Sequence, residues 1–137
     1  MRLDHIGWIT SQPDKFEDFW CGLLGYRKAH TGTIKAEMAG QLFGINQPAV
    51  IRRYTLDNMP TIEIHVFEGP SVGSGRLFQQ EGINHICLHT GEKGSKEKFL
   101  HNLPGDITRH VYQNPGGWVN VFVRDYEGNW IELREDA

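Results

Sequence analysis

The sequence predicts an α+β fold made of two tandem βαβββ modules, residues 1–70 and 80–137, joined by a linker at 70–79. Three observations predict it. The frame LDHIGW around His5 returns as INHICL around His85, 80 residues later (85 − 5). A turn followed by TIEI closes the first half and a turn followed by WIEL closes the second, which puts Glu63 and Glu132 at equivalent points. The step from His to Glu is 58 residues in the first half (63 − 5) and 47 in the second (132 − 85); the 11-residue difference matches the segment AEMAGQLFGIN, read as an insertion into a repeated unit. Between the halves, PSVGSGR has the only linker-like composition in the chain.

Residues 2–10 alternate as a strand. SQPDKFEDFWCGLLGY then carries helix signals: Ser11 or Gln12 as cap, Pro13 in the first turn, early acids, and Gly25 near the stop. Phe16, Phe19, Trp20, Leu23 and Leu24 fall at i, i+3, i+4, i+7 and i+8, one stripe for burial. Strand-like YRKAHTGTI comes next, then the insertion, helical or irregular, then AVIRRYTL, a turn at DNMP, and TIEIHVFEG. In the second half INHICLHT is a strand and SKEKFLHNL a short helix stopped by Pro104-Gly105. DITRHVYQ, WVNVFVRD and WIELRED are strands separated by turns at NPGG and DYEGN.

With 39% hydrophobic and 23% charged residues, 137 residues fit one globular domain. A net charge of −3 without a Lys/Arg block gives no electrostatic reason to bind nucleic acid or anionic membranes. No apolar run approaches the roughly 20 residues of a membrane span, and Asp4 and His5 interrupt any leader, so the expected location is cytoplasmic. Cys21 and Cys87 lack framework spacing and read as buried free thiols.

Strand parity decides which way the polar residues face. If Ile62, Ile64 and Val66 pack on the helices, then Glu63, His65 and Phe67 lie opposite. The same test sends Ile131 and Leu133 to the core and Trp130, Glu132 and Arg134 to the other face; Ile86 and Leu88 to the core, opposite His85, Cys87 and His89; and Ile6 and Trp8 to the core, opposite His5, Gly7 and Ile9. A lone His or Glu on the wet face of a sheet needs no function. One of each at equivalent points of both repeats does call for one, and two imidazoles with two carboxylates suit a five- or six-coordinate divalent metal. His5, Glu63, His85 and Glu132 are therefore the candidate ligands.

LDHIGWIT, GINHICLHT, LFGINQPAV leading into TIEIHVFEG, and GGWVNVFVRDYEGNWIEL together resemble the vicinal oxygen chelate superfamily. That group contains glyoxalase I, methylmalonyl-CoA epimerase, extradiol dioxygenases, and fosfomycin and bleomycin resistance proteins. The resemblance spans nearly the whole chain. It implies sheets curled into a half-barrel around one metal, with ligands from the first and last strands of each module, which again gives His5, Glu63, His85 and Glu132. It further implies one divalent ion (Zn, Ni, Co, Mn or Fe), a small-molecule substrate and a homodimer. The His/Glu/His/Glu set resembles glyoxalase I most, where metal-bound glutamates shuttle the substrate's α-proton; an epimerase-like site has glutamine in place of the first glutamate. The implied activity is a metal-dependent lyase or isomerase, with Glu132 the leading base and Glu63 and His65 further catalytic candidates.

Bacterial glyoxalase I carries an arginine and an asparagine, four residues after its first and second ligands, that grip glutathione. Ile9 and Phe67 stand there in this chain, so a different small α-oxygenated acid, ketone or thioester is expected. An extradiol dioxygenase is an alternative, but its two-His-one-carboxylate triad leaves open a position that Glu63 would fill. A non-catalytic ligand-binding resistance protein is another, and such relatives characteristically lack the metal set. Among the remaining residues, Arg124 and Arg134 are candidate carboxylate contacts, Tyr54 and Trp118 candidate cavity walls or packing residues, and His89 a rim residue. The inserted segment, 35–45, reads as a lid or a dimer contact through Met38, Leu42 and Phe43.

Overall fold

The computed structural model describes residues 3–70, 81–113, 115–117 and 119–137. Two compact units, Met1–Gly73 and Ser74–Ala137, divide the chain. The expected linker at 70–79 lies outside the described residues from position 71 onward, as does Trp118.

In the first unit β1 (His5–Ile9) leads to α1 (Pro13–Glu17), which runs on as a π-helical segment, Asp18–Leu23. Then come β2 (Arg27–Ile34), α2 (Ala36–Phe43), β3 (Ala49–Thr55) and β4 (Thr61–Phe67). The sheet order is β1-β4-β3-β2, with β1 parallel to β4 and the other pairs antiparallel. The second unit has β5 (His85–His89), α3 (Ser95–Asn102), β6 (Arg109–Gln113), β7 (Val119–Arg124) and β8 (Trp130–Arg134), in the order β5-β8-β7-β6. Its first strand is likewise parallel to its last, and its other pairs are antiparallel. Both sheets are open, and each unit is a βαβββ module; α2 is the inserted segment folded as a helix.

The helix of the first unit buries Phe16, Phe19 and Trp20 to 1% exposure each, as the apolar stripe requires. Leu23 and Leu24 depart from that expectation and are only half-buried. The cause is the π turn, in which the Leu24 amide donates to the Phe19 carbonyl five residues back at 3.3 Å; a wider turn rotates the next side chains off a stripe drawn at 3.6 residues per turn. Trp20 stacks with Phe16 at 5.8 Å between centroids and meets Trp8 and Tyr26 edge-on at 5.4 and 5.7 Å. Each ring adds roughly 0.5–1.5 kcal/mol per pair beyond the area it buries.

Tyr54 packs in this core at 0% exposure. Its hydroxyl donates to Glu17 Oε1 at 2.6 Å, and the same oxygen accepts from Arg52 at 3.0 Å and pairs with Lys28 at 2.7 Å. Burial alone would raise the Glu17 carboxyl, but the Lys28, Tyr54 and Arg52 donors hold it below the usual carboxylate value.

The second unit has an aliphatic core of Leu88, Leu103, Ile107, Val121, Val123, Ile131 and Leu133. No residue of α3 is buried. Between β7 and β8 the buried Asp125 accepts the Glu127 and Asn129 amides at 3.0 and 2.8 Å, which ties the turn and sets where β8 begins.

Parity holds where it matters for the site, with Ile62, Ile64, Ile131 and Leu133 all at 2% exposure or less. The buried-thiol expectation does not hold. Cys21 is half-buried and Cys87 exposed, both free, because β5 is an edge strand and Cys87 lies on its non-core face. Among the described residues, no helix is long and apolar enough to cross a membrane.

Candidate metal centre

Parallel pairing places the candidate ligands at the same offset in both modules. His5 is opposite Thr61, two residues before Glu63, and His85 is opposite Trp130, two residues before Glu132. Residues two apart on a strand share a face, so each His shares a face with its Glu. The residue before each histidine orients it. Asp4 Oδ2 accepts from His5 Nδ1 at 2.9 Å, and Asn84 Oδ1 from His85 Nδ1 at 3.0 Å. With the proton on Nδ1, Nε2 is left as the ligand nitrogen, the usual arrangement around a metal-binding imidazole.

In the second module the pair converges, with His85 Nε2 at 3.3 Å from Glu132 Oε2. Two donors each about 2.1 Å from one ion, at roughly 90–110° to each other, stand about 3.0–3.4 Å apart. The pair therefore fits two adjacent positions on a single divalent ion. Phe122 walls it, edge-on to His85 at 5.3 Å. Cys87, opposite Glu132, is exposed as a residue, yet partial desolvation of its thiol and the neighbouring carboxylate push that thiol up.

The first module differs. Glu63, 8% exposed, accepts from Arg53 Nε at 2.5 Å on one oxygen and meets His65 Nε2 at 2.9 Å on the other. Burial would raise its pKa, yet the Arg53 and His65 hydrogen bonds bring it below the ordinary carboxylate value. The ion pair of His5 is with Asp4. Among the described residues, no group of three or more His, Cys, Asp or Glu side chains gathers closely enough to hold a metal.

The other candidates sort plainly. His65 stands between Glu63 and the rings of Phe43 and Phe67, at 6.0 and 6.4 Å, so α2 reaches the ligand face of its own sheet through Phe43. Met38 and Leu42 are exposed. Arg124 lies over the Trp130 ring at 3.9 Å and donates to the Gly128 carbonyl, which commits it to the β7–β8 turn. His89 pairs with Asp136 at the exposed rim. Beside Glu132 and Arg134 a cleft of about 350 Å³ opens, lined also by Lys93, Lys96 and Asn120.

No family model matches the chain, and no curated protein matches it in sequence. Solved structures do match. A glyoxalase family protein from Bacillus cereus superposes with a TM-score of 0.76 over 98% of this chain and 93% of that one, at 20% identity. A glyoxylase/bleomycin resistance protein/dioxygenase domain from Frankia gives 0.70 over 100% and 93%, at 11% identity. The chain has the glyoxalase/bleomycin resistance/dioxygenase fold. The trypanothione-dependent glyoxalase I of Leishmania major shares it, with a TM-score of 0.65 over 98% and 86% at 18% identity.

Within this glyoxalase/bleomycin resistance/dioxygenase fold, three residues around the ligands went unread in the sequence. Asp4 and Asn84 had a signal, since an oxygen-bearing side chain precedes the histidine in both LDH and INH. Arg53 had none, because its bond to Glu63 depends on the β3–β4 register.

Proposed function

We propose that the chain is a metal-dependent lyase or isomerase of the glyoxalase I-like type, with His5, Glu63, His85 and Glu132 holding one divalent ion. Such an ion, when bound, supplies Lewis-acid stabilisation of a substrate oxyanion, worth several kcal/mol. The observation that carries the reading is the matched register of the two His/Glu pairs, together with the 3.3 Å approach of His85 to Glu132. Glu63 joins the set by turning from Arg53 toward His5.

Glu132 is the base that takes the substrate's α-proton. Its carboxylate meets an imidazole and a thiol and has no Arg or Lys ion pair among the described residues, so it is free to move between ligand and base. His65, oriented by Glu63, is the second proton carrier. Trp130, Phe122 and His110 share the Glu132 face and give a planar or apolar part of the substrate a surface. Ile9 and Phe67 offer glutathione no charged grip, so the substrate is a small α-oxygenated acid, ketone or thioester.

The test is elemental analysis of the purified protein, and then a metal-reconstituted screen against methylglyoxal with several thiols, methylmalonyl-CoA, hydroxyketones and catechols. Turnover with loss of the α-proton supports the reading. A metal-free protein whose Tm ignores divalent ions points instead to a ligand trap. The proposed assembly is a homodimer, favoured by bare edge strands such as β6, where Val111 and Tyr112 are exposed. A 15.7 kDa species by light scattering at high concentration counts against it.

A further inference from the structure

The cleft of about 350 Å³ beside Glu132 lies wholly in the second unit and is at the small end of the range for ligand pockets. Its charged walls are Lys93, Lys96 and Arg134 against Glu132, Glu135 and Asp136. The two sets are not equally engaged. Glu132 meets His85 Nε2 at 3.3 Å, Glu135 accepts the Lys96 amide at 2.9 Å, and Asp136 pairs with His89 at 3.4 Å. Lys96 donates through Nζ to the Val119 carbonyl at 2.7 Å and stands 3.9 Å from Glu135. Arg134 and Lys93, both exposed, form no ion pair among the described residues. Every carboxylate of the cleft thus has a partner, and two of its three cations do not.

We propose that this cleft is an anion site, in which Arg134, with Lys93 and the Asn120 side-chain amide, takes the carboxylate or phosphate group of a small molecule. The Arg134 guanidinium makes no hydrogen bond among the described residues, so its fork is available for two parallel bonds to either group. Asn120 is on the same side. It shares a face of β7 with Phe122, which is opposite Glu132 on β8. Gly116 and Gly117, in the turn before β7, bring no side chain to the wall and leave the mouth open. The site itself needs no metal; the substrate class drawn from it rests on the reading of Glu132 as base. Arg134 is two residues beyond Glu132 on β8, a step of roughly 6.6–6.8 Å, so an anion on Arg134 leaves room for only a few atoms between itself and a carbon facing Glu132. Of the acids, ketones and thioesters named above, that selects short α-oxygenated acids or their phosphate counterparts. Glu132 and Asp136 flank Arg134 in sequence and oppose a further negative charge, which keeps the binding weak.

The test is an NMR titration of the ¹⁵N-labelled full chain, as purified and again after dialysis against a chelator, with glycolate, inorganic phosphate and neutral hydroxyacetone. Glycolate, phosphate or both should shift the amides of Asn120 and Arg134 with a Kd on the order of millimolar, and hydroxyacetone should not. Arg134→Gln should weaken anion binding about tenfold or more, the scale of a hydrogen bond between charged groups, and Arg134→Lys, Lys93→Gln and Asn120→Ala by smaller factors. Lys98→Gln, at an exposed lysine of α3 outside the cleft, should leave the Kd unchanged. A response to glycolate alone marks a carboxylate site, to phosphate alone a phosphate site, and to both a site that reads charge. No shift with either anion, equal binding of hydroxyacetone, equal losses from Lys98→Gln and Arg134→Gln, or binding that chelation abolishes overturns the anion site. Anion binding by a chain that turns over nothing in the metal-reconstituted screen keeps the site and removes the proposed reaction. Where the screen finds turnover, Arg134→Gln should raise KM for acids and not for neutral ketones; equal changes for both overturn the selection of acids. Arg134, Lys93 and Asn120 are all exposed, and thermal melts of the variants separate lost binding from misfolding.

Discussion

The two sheets share strand order and register, yet the first buries its largest aromatic cluster on the core face and the second carries its own on the ligand face. In the first unit Phe16, Phe19, Trp20, Tyr26 and Tyr54 are buried between the sheet and its helical layer. In the second the buried layer is aliphatic, and Phe122, Trp130 and His110 lie on the face that carries Glu132. Helix length explains part of the difference. α1 and its π extension cover Pro13–Leu23 and bring three large rings onto the sheet, whereas α3 contributes no buried residue and the core is completed by Leu103 and Ile107 beyond its end. Backbone pairing, then, holds His and Glu at fixed points of both modules while the packing around them diverges. On the ligand faces the first unit sets Arg53 opposite its glutamate, with Phe43 and Phe67 around His65, and the second sets Phe122 opposite its own.

Glu132→Gln probes that difference with the largest expected effect. It keeps an oxygen ligand and the shape but loses the base, so kcat should fall at least about a hundredfold with metal still bound, and solvent deuterium exchange at the substrate α-carbon should vanish. The same kcat loss from Glu63→Gln with metal bound would erase the proposed division between the modules. On the core side, Trp20→Ala should cost about 3–5 kcal/mol in urea unfolding and Leu133→Ala about 2–5 kcal/mol. A loss under about 1 kcal/mol at Trp20 would show that the aromatic cluster is not what holds the first unit.

Asp4→Ala and Asn84→Ala test whether the histidines are matched by their orienting partners. Each should weaken metal binding about 10–100-fold while leaving the melting temperature of the metal-free protein nearly unchanged. The smallest effect is at Glu17. Its pKa is held low in the folded protein, so its network contributes stability above the ordinary carboxyl value of 4.5 and loses that contribution as the pH falls below it. Tm measured down to about pH 3 should therefore fall more steeply for the wild type than for Glu17→Gln. Parallel curves would remove the ion-pair network from the account of the first unit.

The strands were legible in the sequence because alternation is a local property, and the faces of Glu63 and Glu132 came from it. Neighbours across strands were not, because they depend on register. Arg53 meets Glu63 only through the β3–β4 pairing, whose connecting turn includes Asn58 at a φ of 63°. The exposure of Cys87 was hidden for the same reason: parity gives its face, but only the order β5-β8-β7-β6 shows that the strand is an edge. The π turn escaped because a five-residue hydrogen bond leaves the apolar spacing of Phe16, Phe19 and Trp20 intact and shifts only the side chains beyond them, Leu23 and Leu24.

The central claim is that the repeated His and Glu hold one divalent ion, and metal content of the wild type against His85→Ala tests it most directly. Elemental analysis after reconstitution and desalting should find about one ion per chain in the wild type and a sharp loss in the variant, since a site without one of its ligands is incomplete. Full occupancy in His85→Ala would contradict the claim.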